Sequence, residues 1–238
     1  MLRFTSDLDP SIQLAFTTQA EGNLALHVND DPSLVEANRT MLEERIGVSR
    51  FSLAFMNQVH SADVVQVEPG QRTSWSDPAA PTCDGLLSFG AATPLAVMVA
   101  DCLPVLFVAR HAEGQLATAA VHAGRRGLLD GILGVTVERL HQWGAEEIEA
   151  VIGPAICGSC YEVPEHMQLE SESLMPGISS QTRWGSAGLD LPGTARRYLE
   201  SLDVSVRSHQ PCTLEDERFY SYRRDSACGR LAGVVWRR

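Results

Sequence analysis

Three apolar runs in this chain end in a side chain that can bind a metal or act as a nucleophile. "LAFMNQVH" ends at His60, "LAVMVADC" at Cys102 and "LATAAVH" at His122. A strand end is where a rigid sheet delivers side chains to a pocket mouth. Two imidazoles and one thiolate form a zinc set that leaves a fourth position for water or substrate. The long separations between the three fit a catalytic site assembled by the fold, not a local structural finger. The same residues also support metal-free chemistry, with Cys102 as nucleophile, His122 as its base, and Asp101 or another polar group orienting the imidazole. Each has a plainer role too: a histidine hydrogen-bonded at a rim, or a cysteine serving as a small buried hydrophobe.

"VHAGRRG" at 121–127 adds Arg125 and Arg126 at an expected helix start. Positive charge there opposes the helix dipole, unless an anion sits between the guanidinium groups and the backbone N–H groups. The same charges would favour a thiolate nearby. The alternative is a pair of solvated surface arginines. "FYSYRRD" at 219–225 is a second aromatic–arginine cluster, whose plainer reading is a strand with an exposed charged end. "CGSC" at 157–160 has the CxxC spacing. It reads first as a tight turn with two free thiols and second as a redox or zinc half-site, with no second CxxC to complete a zinc ribbon.

The chain that must position these groups has 238 residues, 44% of them hydrophobic, enough for a sizeable core. Nineteen basic against thirty acidic side chains give a formal charge of −11, which disfavours general binding to nucleic acid or anionic membrane. The first twenty residues are broken by Asp7, Asp9 and Pro10, and the most apolar stretch, "PLAVMVADCLPVLFVA", is cut by Asp101 and Pro104. Neither suits an export signal or a bilayer span. The expectation is a soluble, cytoplasmic protein whose six cysteines are free thiols.

Strand-like runs are "IQLAFTT", "RFSLAFMNQVH", "DVVQVEP", "PLAVMVA", "PVLFVA", "GQLATAAVH", "IEAVIGPAI" and "RLAGVVWRR". "DDPSLVEANRTMLEERIG" predicts a helix capped by Asp31, opened by Pro32 and closed by Gly47, with Leu34, Asn38, Met41, Leu42 and Ile46 near one face. "LLDGILGVTVERLHQWG" predicts another, whose shared face is Leu128, Leu129, Ile132, Leu133, Thr136 and Leu140. "PEHMQLESESLM" and "GTARRYLESL" predict two more, and "GQRTSWSDPAAPTCDG" a loop. Neighbouring strands without strict βαβ alternation predict an α+β fold, and no linker divides the chain, so one domain is expected over 1–238.

In their order along the chain, "NQVHSADVV", "CDGLLS", "ADCLPVLF", "AAVHAGRRG", "IGPAICGSCYEV", "LDL" and "DERFYSYRRDSACGR" resemble the YfiH-like laccase-domain family over essentially the whole length. Its members are described as polyphenol oxidoreductases or purine nucleoside phosphorylases. The resemblance implies packed β-sheets with helices outside, and a metal, usually zinc with copper as the older assignment, at His60, Cys102 and His122. It also implies phosphorolysis of adenosine, inosine or methylthioadenosine, with adenosine deamination alongside. Phenol oxidation and editing of peptidoglycan precursors, the latter by a metal-free cysteine hydrolase, are the alternatives.

Three motifs depart from the family pattern: Gln19 replaces an early arginine, Arg125 stands where tryptophan is usual, and Ser159–Cys160 stand where adjacent cysteines are frequent. On this reading Arg126, with Arg125, holds phosphate. Asp101 handles a proton, and Tyr220 and Arg223 stack or clamp the substrate.

Overall fold

The computed structural model describes residues 1–68, 80–209 and 211–238; most of the expected loop at 70–85 lies outside them. The strands are β1 (Leu2–Thr5), β2 (Ile12–Phe16), β3 (Val64–Gln66), β4 (Gly85–Phe89), β5 (Leu95–Val99), β6 (Leu103–His111), β7 (Leu116–Ala123), β8 (Ala145–Ile152), β9 (Ser179–Gln181), β10 (Ala187–Leu189), β11 (Ser205–Ser208) and β12 (Leu231–Arg237). The α-helices are α1 (Pro32–Ile46), α2 (Arg125–Leu129), α3 (Ile132–Trp143), α4 (Glu165–Leu174) and α5 (Leu191–Ser201). One sheet runs β1-β2-β12-β5, a second runs β11-β8-β6-β7-β4-β3, and β9 and β10 form a ribbon. The larger sheet is antiparallel inside and parallel at both edges, where β3 pairs β4 and β11 pairs β8. The class is α+β, as expected.

Strand periodicity builds the layers, because alternate residues point to opposite faces. In β6, Leu103, Val105, Phe107 and Ala109 pack with Leu128, Ile132, Leu133 and Leu140 of α2 and α3. Leu106 and Val108 face the other way, onto Leu14, Phe16, Val97 and Val235 of the four-stranded sheet. That sheet turns its outer residues Ala96, Met98, Val234 and Trp236 toward Leu42 and Ile46 of α1. The order is helix, sheet, sheet, helices, with one apolar interior shared by the two sheets. Among the described residues no helix is long and apolar enough to cross a membrane.

Three local readings are corrected by the structure. Helix α1 begins and ends as expected: Asp31 accepts from the Ser33 N–H at 2.9 Å, and Gly47 is left-handed. Its buried face, however, is Val35, Arg39, Leu42, Glu43 and Ile46, while Leu34 and Met41 are exposed. Two charged residues are buried because each finds partners. Arg39 donates to the Leu24 carbonyl and lies over the Phe55 ring, and Glu43 accepts from the N–H groups of Phe51 and Leu53. Hydrophobicity patterns do not encode such pairing.

The expected single helix over 128–144 is two. It breaks at Gly131, whose φ of 88° is a conformation L side chains disfavour. The segment 50–60 is not a strand. It makes only isolated bridges, Ala54 to Leu95 and Asn57 to Thr82.

Candidate metal centre and adjoining anion pocket

His60 therefore does not end a strand. It sits on a loop with φ 63°, fixed by its own N–H, which donates to Asp84 Oδ1 at 3.0 Å. Cys102 occupies the turn between β5 and β6. His122 lies near the end of β7, where the register sets it opposite Pro104. The neighbouring pair Gly85 to Val121 places Asp84 just before β4 and beside His122. Backbone pairing thus brings together residues 42 and 38 positions apart.

The donor atoms of His60, Cys102 and His122 all lie within 4.8 Å of one another. His60 Nε2 is 3.7 Å from Cys102 Sγ, and the two imidazole rings are 4.7 Å apart at 78°. His122 Nδ1 is 2.7 Å from Asp84 Oδ1, which leaves Nε2 free for a ligand role. A carboxylate behind a histidine, fixing its tautomer, is the usual outer partner of a metal-binding imidazole. These residues fit a single zinc-type ion with an open position.

Burial pushes the Cys102 thiol up, but the His122 charge, with hydrogen bonds from His122 and His60, brings it down to about 6. Burial pulls His122 down, but the Cys102 charge and the Asp84 hydrogen bond raise it to about 9. Together they form a thiolate–imidazolium pair, and a cation bound at Nε2 takes the place of the His122 proton there.

Asp84 is the residue that the sequence reading did not assign. It is fully buried and also accepts from the N–H groups of Val59 at 3.1 Å and Ser61 at 2.6 Å, and from the Ser61 hydroxyl at 3.0 Å. One carboxylate therefore orients His122 and shapes the loop that presents His60. Asp101, the expected orienting or proton-handling group, is engaged elsewhere. Its oxygens accept from Thr213 Oγ1 at 2.6 Å and the Arg223 N–H at 2.8 Å, and its φ is 82°. It braces the turn carrying Cys102.

Two cavities flank Cys102. One contains the triad together with Gln58, Tyr222 and Arg230. The other contains Arg125, Tyr161, Tyr222 and Arg223. Arg125 is held by Ser171 Oγ at 3.0 Å and by the exposed Glu170 carboxylate at 3.5 Å, and Arg223 by the Glu162 carbonyl at 2.8 Å, with its guanidinium over the Tyr161 ring. Burial, then the Cys102 charge, push the Tyr161 phenol up, so it is a neutral hydroxyl near pH 7.

Arg126 is exposed, lines neither cavity and faces Asp130 at 3.5 Å. Helix α2 has only five residues, so its dipole is small and the guanidinium groups carry the positive charge. Tyr220 lies against Gly229 and lines neither cavity; Tyr222 lines both. "FYSYRRD" forms turns, not a strand. Gln19 donates to the Phe219 carbonyl at 2.9 Å.

Gly124 makes a close approach that the site requires. A Cβ there would lie 2.6 Å from His60 Cδ2 and 3.4 Å from Cys102 Sγ. Because the His60 ring is exposed, the ring would yield and the fold would not. Gly124→Ala is expected to lower turnover about a hundredfold with little change in Tm, since displacements on the scale of 1 Å cost that much in a catalytic constellation. Steady-state kinetics beside a thermal melt check this.

A family model described as multi-copper polyphenol oxidoreductase laccase matches residues 15–238. A purine nucleoside phosphorylase of Streptomyces coelicolor is 42% identical over 219 residues, covering 91% of this chain and 88% of the relative. Among solved structures, a Neisseria meningitidis protein of family DUF152 superposes with a TM-score of 0.81 at 31% identity, covering 100% of this chain and 99% of the other. The Bacillus licheniformis protein YfiH gives 0.84 at 26% identity, covering 95% and 93%.

Proposed function

The chain belongs to the multi-copper polyphenol oxidoreductase laccase family, and from that premise we propose that it is a zinc-dependent purine nucleoside phosphorylase with adenosine deaminase side activity. The carrying observation is the pair of cavities meeting at Cys102, one lined by metal donors and the other by two guanidinium groups. Relatives named purine nucleoside phosphorylase support the substrate class. The donor set favours one ion over several coppers: among the described residues, no group of three donor side chains contains more than two histidines.

His60, Cys102 and His122 hold the ion, which when bound supplies Lewis-acid polarisation of a substrate atom. Arg125 and Arg223 bind phosphate through guanidinium N–H groups that match its oxygens. Tyr222, shared by both cavities, lies against the nucleoside, and Tyr161 donates its O–H. Asp84 holds His122 in one tautomer, and Asp101 fixes the Cys102 turn. In phosphorolysis the phosphate oxygen forms the bond to the sugar carbon as the glycosidic bond to the purine breaks.

Mass spectrometry of products from adenosine, inosine and methylthioadenosine, with and without phosphate, tests this reading. Free base and the sugar phosphate (ribose phosphate from adenosine and inosine, methylthioribose phosphate from methylthioadenosine) are expected with phosphate, and inosine from adenosine without it. Arg125→Ala is expected to raise KM for phosphate about tenfold, the scale of one charge-assisted contact, with Arg126→Ala near wild type. No phosphate-dependent product from any of the three nucleosides would overturn the proposal. Full activity after chelation, with Cys102 alkylation blocking it, would favour the cysteine hydrolase instead.

A further inference from the structure

A second group of metal donors lies outside the cavities around Cys102. The sulfurs of Cys157, Cys160 and Cys212 and a carboxylate oxygen of Glu215 all lie within 4.8 Å of one another. The first two come from the turn after β8, where the Cys160 N–H donates to the Cys157 carbonyl at 2.9 Å. The other two come from a turn more than fifty residues later, where the Glu215 N–H donates to the Cys212 carbonyl at 3.1 Å. A single parallel bridge, Ala155 to Cys212, sets the two turns side by side.

We propose that Cys157, Cys160, Cys212 and Glu215 form a structural site for a thiophilic divalent cation of the zinc class. Three sulfurs and one oxygen from two tight turns suit a closed tetrahedral site. The CxxC spacing supplies two ligands from one turn, and the fold supplies the partners that the sequence lacks. Binding releases the thiol protons to solvent.

Burial pushes the Cys157 and Cys160 thiols up, so the cation itself must displace their protons, and the case for the site rests on its geometry. The Cys157 N–H donates to Cys212 Sγ at 3.4 Å, and Arg183 pairs with Glu215 at 2.5 Å, offsetting the excess negative charge of the donor set. Arg183 is itself tied to the first turn, its N–H donating to the Ser159 carbonyl at 3.0 Å. Cys160 and Cys212 are buried together with Ile156, so neither thiol is a free surface group.

The site acts on the Cys102 turn without touching substrate. The Ile156 N–H donates to the Asp101 carbonyl at 3.0 Å, and Thr213 Oγ1 donates to the Asp101 carboxylate at 2.6 Å. Both residues adjoin the ligands. A cation joining the two turns therefore holds Asp101, and with it Cys102, from both sides.

The test uses the full chain carrying His60→Ala, Cys102→Ala and His122→Ala, which removes the first donor set. Purified with reductant and titrated with cobalt(II), this variant is expected to bind one equivalent with thiolate-to-cobalt charge-transfer absorption. Adding Cys157→Ser, whose side chain is only half-buried, is expected to abolish the absorption. Cys160→Ser provides a second check. A folded triple variant with free thiols that binds no cobalt would overturn the proposal. So would a disulfide between any two of Cys157, Cys160 and Cys212 in the reduced preparation.

Discussion

Cys102→Ala is expected to remove one zinc equivalent and to lower kcat/KM for nucleoside phosphorolysis by about 10²–10³-fold, the loss seen when a group stabilising transition-state charge is deleted. That corresponds to roughly 3–4 kcal/mol of barrier. Among the described residues no other sulfur joins His60 and His122 in a donor group. Cys102 is the sulfur within reach of both His60 and His122, and it borders both cavities. Elemental analysis and steady-state kinetics on the same preparation check the two effects together. Zinc at the Cys157 group is expected to stay, so the metal content falls by one equivalent and not to zero. Full zinc content and full turnover in the variant would remove Cys102 from the mechanism. Loss of turnover with both zinc equivalents retained would point to a nucleophilic thiol.

Asp84→Asn is expected to weaken zinc binding at the His60–Cys102–His122 site about 10–100-fold, the usual cost of losing the outer carboxylate of a metal-binding histidine. It is also expected to destabilise the protein by about 3–5 kcal/mol, as when one partner of a buried charged network is removed. The carboxylate accepts from three backbone N–H groups, the Ser61 hydroxyl and the His122 ring. An amide keeps one acceptor oxygen and turns donor hydrogens toward donors. Denaturant unfolding reads the stability change, and competition with a chromophoric chelator reads the affinity change. Wild-type affinity in a folded Asp84→Asn chain would mean that His122 is oriented by its backbone alone. Asp101→Asn provides the contrast: with its oxygens engaged by Thr213 and Arg223, it is expected to affect stability more than zinc affinity.

Much of the architecture was legible in the sequence. β2, β5, β6, β7, β8 and β12 are apolar runs bounded by polar or turn residues. The ends of α1 follow from Asp31, Pro32 and Gly47. Short strands such as β1, β9 and β11 were not visible, because three or four half-exposed residues carry no periodic signal. The α1 face was misread because Arg39 and Glu43 are buried by partners far along the chain, at Phe55 and Leu53.

For the candidate site, the sequence by itself determined the chemistry available: which residues can donate to a metal, which carry fixed positive charge, and that the latter are few in an acidic chain. Tertiary structure decided which of them meet. Strand register put Asp84 behind His122, a left-handed loop aimed His60 at Cys102, and helix α2 set Arg125 in a cavity and left Arg126 exposed. The same holds for the second cysteine group, half of which is a CxxC and half a distant turn. Residue type is a local property, whereas ligand geometry and pKa shifts depend on distances of a few ångströms between segments that only the packed sheets bring together.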